Sequence, residues 1–131
     1  MTTTTGRFDL TSWDEEVSDD AEGAKLVRVR NTKAFEGGLS GTSAAEILQA
    51  LAQDGSAAYV GIERVTAAID GRKGTFVLRH SAVGGADGSG DFRVDVVPGS
   101  GTGELAGLRG ELAIVRADDG EHTYTLEYEL G

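Results

Sequence analysis

Short alternating runs cut by glycine-centred turns constrain this chain more than any other feature. Val27-Arg-Val29 and Tyr124-Thr-Leu-Glu-Tyr-Glu-Leu130 alternate apolar with polar residues. Successive side chains of a strand point to opposite faces, so a period of two specifies strands with one buried face. Between such runs stand Gly37-Gly38, Asp54-Gly55, Asp70-Gly71, Pro98-Gly99 and Asp119-Gly120, all turn-forming pairs. A chain of 131 residues with 20 glycines and one proline suits many short strands joined by tight turns.

The alternation predicts about eight strands. The first begins near Phe8, and the others cover residues 26–35, 42–51, 57–69, 75–83, 92–97, 111–116 and 123–130. Residues 43–52 have the propensity for a short helix, but the hairpin turns on both sides favour a strand. Residues 1–5 read as a disordered tail, 14–24 as an acidic loop, 84–90 as a glycine-rich loop and 104–109 as one helical turn. One domain, residues 6–131, is expected. So many antiparallel strands in one small domain must hide their edges, and closure into an up-and-down barrel does so. A barrel of this size is either filled by side chains or holds one small ligand.

Composition removes several functional classes. The net charge of −10 repels a nucleic-acid backbone and an anionic membrane surface. There is no cysteine, and the two histidines, His80 and His122, are too few for most zinc sites without carboxylate help. No apolar run approaches the roughly 20 residues of a membrane span. The expected setting is the cytoplasm, without metal or other cofactor. Gly99-Ser-Gly-Thr-Gly103 lacks the lysine of a phosphate-binding loop.

Pairing the hairpins yields a candidate site. A two-residue turn at Asp54-Gly55 sets Glu46 opposite Glu63 and Ala50 opposite Tyr59. A turn at Gly37-Gly38 sets Val29 opposite Glu46. A two-residue turn near Asp70-Gly71-Arg72 puts His80 opposite Glu63 or diagonal to it, on one face in either register. Glu46, Glu63 and His80 therefore become candidate catalytic residues. Two carboxylates confined together cannot both ionise cheaply, so one pKa is expected to rise. The candidate ligand-lining residues are Trp13, Asn31, Leu48, Tyr59, Phe76, Leu78 and Tyr128. On this pairing Ile47, Val60, Ile62 and Val77 face outward, and a second copy of the chain is expected to cover them.

Pro98-Gly-Ser-Gly-Thr-Gly-Glu-Leu-Ala-Gly-Leu-Arg-Gly110 is the most specific stretch. With Thr11-Ser-Trp-Asp-Glu15, Val60-Gly-Ile-Glu-Arg64, Gly74-Thr-Phe-Val-Leu-Arg-His80 and Tyr124 to Leu130, it resembles the bacterial DUF3224 family. That resemblance implies an allene-oxide-cyclase-like barrel and leaves the activity open. The segment from Gly101 to Gly110 is also similar to a turn of allene oxide cyclases and dirigent proteins. Those barrels guide cyclisation or coupling of small apolar molecules without a cofactor. Three functions follow: a barrel that isomerises or cyclises a small apolar molecule by proton transfer, a lipocalin-like binding protein, and a filled structural or interaction barrel.

Overall fold

A computed structural model describes all residues from Met1 to Gly131. Its strands are β1 (Thr2–Ala21), β2 (Ala24–Gly37), β3 (Leu39–Ala52), β4 (Ala57–Ile69), β5 (Arg72–Gly84), β6 (Gly90–Val96), β7 (Leu108–Arg116) and β8 (His122–Leu130). Each pairs antiparallel with the next, and β1 pairs with β8, so the expected up-and-down barrel is closed. The expected helical turn is a 3-10 turn, Gly103–Leu105. No helix is long and apolar enough to cross a membrane.

Two segments are more ordered than the sequence suggested. Thr2 to Thr5, expected as a disordered tail, are strand and pair with Tyr128 to Thr125. The acidic stretch, expected as a loop, extends β1 to Ala21. Its backbone pairs with β2, and opposite charges meet across the ladder: Asp14 with Arg30, Glu16 with Arg28, Asp20 with Lys25. Such cross-strand pairs favour a strand over a solvated loop.

The buried apolar residues fall into two clusters. The larger holds Phe35, Leu39, Val65, Ile69, Phe76, Leu78, Leu126 and Tyr128, together with Leu105 and Leu108. Leu105 and Leu108, both 0% exposed, plug this end of the barrel from the segment that carries the 3-10 turn. Tyr124 fastens the same end. Its hydroxyl accepts from Leu39 N at 2.8 Å and donates to a backbone carbonyl of the β2–β3 corner. Gly6 makes this crossing possible, because a Cβ there would collide with the Tyr124 hydroxyl. The smaller cluster, Val27, Val29, Ala45 and Ile47 with Tyr59 packed on it, lines the other end, which stays open.

Two registers differ from expectation by one residue. Glu63 pairs with Ala45, and Glu46 pairs with Ile62 on β4 and Arg30 on β2. The loop at Asp54-Gly55 has three residues, not two. Ala52 N bonds to Ser56 O at 2.8 Å, and Gly55 takes a φ of +94°. A one-residue slip reverses every side chain. Ile47 therefore points inward, whereas Glu46 and Leu48 point outward. The β4–β5 hairpin keeps the expected parity, with Gly61 opposite His80 and Glu63 opposite Leu78.

Candidate functional site

Glu63, on the inner face of β4, is the centre of a buried polar layer and is itself 0% exposed. A solitary carboxylate in this place would be prohibitively costly, so partners are required. Its Oε1 accepts from His80 Nε2 of β5 at 2.6 Å and from Lys33 Nζ of β2 at 3.1 Å. Its Oε2 accepts from Ser43 Oγ of β3 at 2.5 Å. Four adjacent strands thus contribute one group each. Burial alone pushes the Glu63 carboxyl up. The His80 hydrogen bond, the charges of Lys33 and His80, and the Ser43 hydroxyl outweigh it and hold the pKa at about 2.

This electrostatics is the reverse of the coupled carboxyl pair expected from the sequence. Glu46 is outside the barrel, paired with Arg30 at 3.1 Å on a well-exposed surface. Glu63 stands as a lone carboxylate among donors. A carboxylate only accepts, so His80 Nε2 carries the hydrogen between them. In the neutral ring Nδ1 is then the free nitrogen, and no protein group bonds to it.

Above this layer the barrel interior opens into a cavity of about 360 Å³. Lys33, Asn31, His80, Phe8 and Ile47 line its depth, and Trp13, Tyr59, Phe92, Arg116 and His122 belong to its rim. His122 stacks on Phe8 at 4.9 Å between centroids, and Lys33 Nζ lies 5.0 Å from the same ring. Three larger grooves lie around it. One follows the β6–β7 seam beside Arg79, Asp95, Glu111 and Glu127; another runs over Leu48, Val60 and Ile62 and reaches His80; the third lies by Thr32, Thr42 and Arg64 and reaches Lys33 and Ser43. None of the three brings His80 together with Lys33 and Asn31, as the interior cavity does, so the interior cavity is the candidate site.

The predicted lining residues separate by height in the barrel. Trp13, Asn31 and Tyr59 line the cavity beside His80. Phe76 and Leu78, each 1% exposed, are packed in the filled end. Tyr128 is there too, and its hydroxyl donates to Asp70 at 2.5 Å. Leu48 is 55% exposed on the outer face, a second consequence of the register slip. Lys33 and Ser43 were missed. Lys33 was nevertheless legible, because Val27, Val29, Asn31, Lys33 and Phe35 share one parity on β2. A lysine inside an otherwise apolar stripe is itself the signal.

Residues 4–128 match the family model described as a protein of unknown function, DUF3224. The chain belongs to the DUF3224 family. A crystal structure of a DUF3224 protein of unknown function from Shewanella oneidensis MR-1 is 36% identical. The similarity covers 100% of this chain and 98% of that one, with a TM-score of 0.90. No protein of curated function matches. DUF3224 membership thus accounts for the barrel, and the chemistry has to be read from the cavity.

Proposed function

We propose that this DUF3224 barrel binds a small, largely apolar molecule in its open half and moves a proton on it without a cofactor. The observation that supports the reading is the His80–Glu63 contact of 2.6 Å at the cavity's depth. Glu63 positions the ring and fixes its tautomer, as the buried carboxylate of a hydrolase triad does. His80, which lines the cavity, is the group that takes and returns the proton through Nδ1. Glu63 does not itself act as an acid, since its carboxyl is held low. Aromatic walls at the rim and few polar groups below are typical of a small-molecule site. Enolisation or ring closure of an unsaturated ketone or epoxide suits one base in such a pocket.

The competing reading is a lipocalin-like carrier, favoured by the same cavity and requiring no turnover. Solvent exchange separates them. Cyclic enones that quench Trp13, the single tryptophan at the rim, are incubated with the protein in deuterated water. Proton transfer places deuterium at the carbon next to the carbonyl, and His80→Phe removes the exchange. Binding without deuterium uptake leaves the carrier reading in force.

A homo-oligomer is proposed on separate grounds. Leu48, Val60 and Ile62 are 55%, 58% and 53% exposed on the outer face of β3 and β4. Contiguous exposed apolar residues mark interaction surfaces. Ile47, expected among them, is buried inside, and Val77 is only partly exposed. Ile62→Glu should lower the sedimentation mass at micromolar concentration, and a parent protein already monomeric there removes the proposal.

A further inference from the structure

The interior cavity has a charge pattern opposite to that of the chain. The protein carries 22 acidic against 12 basic residues. The cavity lining contains Lys33, Arg116 and both histidines of the chain, and neither aspartate nor glutamate. Glu63 lies beneath and neutralises Lys33 in part, but it uses only one of the three ammonium hydrogens. Arg116 and His122 enter from the rim, on β7 and β8, far from that carboxylate along the fold.

A second observation concerns Asn31. It is 3% exposed, and its Oδ1 is the one buried side-chain polar atom without a hydrogen-bond partner. A wholly apolar ligand would seal the Asn31 NH2, the remaining Lys33 hydrogens and His80 Nδ1 away from water. Each group left unpaired there carries an uncompensated desolvation cost. The occupant must therefore bring polar atoms to the depth of the cavity. An amide presents either its oxygen or its NH2 to the same point, so Asn31 serves an acceptor as well as a donor.

We infer that the ligand is an organic acid: a planar apolar body between Trp13, Tyr59, Phe92 and His122, ending in a carboxylate directed toward Lys33 and Asn31. The inference rests on the binding reading above and names the ligand class for it. Arg116 steers the anion at the mouth, where the surrounding surface would otherwise repel it. Lys33 and Asn31 supply the hydrogen bonds, and charge-assisted bonds of this kind are the stronger ones.

The test uses two probes of equal shape, 1-naphthylacetate and 1-naphthylacetamide, titrated into the full-length protein by Trp13 fluorescence and calorimetry. The acid should bind about tenfold more tightly than the amide, the effect of one charge-assisted contact. Arg116→Gln, on the exposed rim, should weaken the acid several-fold and leave the amide unchanged. Asn31→Leu should weaken the acid and keep the fold, as read by circular dichroism. Equal affinity for the two probes, or preference for the amide, overturns the acid assignment while leaving small-molecule binding standing. Failure of both to bind overturns the binding reading together with the inference.

Discussion

The two halves of the barrel interior are built from the same strands and carry opposite duties. In the filled half, Phe76, Leu105, Leu108, Ile69 and Leu126 are at most 1% exposed and bury no charge. In the open half, Trp13 is 46% exposed and Tyr59 is half-buried, and polar groups point into empty space. The Lys33–Ser43–Glu63–His80 layer divides them. Stability should reside in the first half and binding in the second, with the polar layer belonging to both. Four measurements can break that division.

The largest effect is expected at the divide. Glu63→Gln leaves Lys33 buried without its counter-ion, at a cost of about 3–5 kcal/mol in urea unfolding. Lys33→Met on the same background should recover much of the loss. A single-variant cost below about 1 kcal/mol would show the layer open to water, as an exposed ion pair is.

Acid gives the next effect. The Glu63 carboxyl is at about 2 in the fold against an ordinary 4.5. A depressed folded pKa adds stability that is complete above 4.5 and is lost as the pH falls toward about 2. The shift corresponds to about 3 kcal/mol. Glu63→Gln should flatten this part of the stability–pH profile.

Leu105→Ala should cost about 3 kcal/mol by opening a cavity in the filled half. The affinity of 1-naphthylacetate should not change, since the plug lies at the opposite end from the rim. A parallel loss of binding would mean that the halves are coupled.

The smallest effect on stability is expected from the rim. Trp13→Phe forfeits one hydrogen bond, from Nε1 to Glu15 at 2.7 Å, on a half-exposed side chain. Unfolding should shift by no more than about 0.5 kcal/mol. Binding of either naphthyl probe, followed by calorimetry, should weaken measurably.

Strand number, barrel closure and the helical turn near 104–109 were legible because they depend on the pattern and turn chemistry within each segment. Glu63 and His80 were legible together for the same reason, through one hairpin. Phe76, Leu78 and Tyr128 share the inner face with the cavity residues, and parity could not tell their height along the barrel. The plug and the layer around Glu63 decide which inward residues meet empty space. Glu46 and Leu48 failed at the two turns that flank β3, Gly37-Gly38 and Asp54-Gly55.

The second of these turns shows what the sequence by itself determines. Asp54-Gly55 and Asp70-Gly71 are the same dipeptide and code a tight turn in both places. In the first, Asp54 keeps its side chain local, accepting from Ser56 N at 2.8 Å, and only Gly55 takes a positive φ. Asp119-Gly120 does the same, with Asp119 accepting from Glu121 N at 2.9 Å. At Asp70 the backbone itself is left-handed, with φ of +48°, giving the two-residue turn. Its carboxylate is taken by Thr4 Oγ1 of β1 at 3.0 Å and the Tyr128 hydroxyl of β8 at 2.5 Å. Both partners lie across the closed end of the barrel, far away in the chain. A left-handed non-glycine residue is disfavoured unless such contacts hold it. Local sequence thus determined that the chain turns and which faces alternate. Contacts across the closed end of the barrel set the two-residue turn at Asp70, and with it the place of Glu63 and His80 on one inner face.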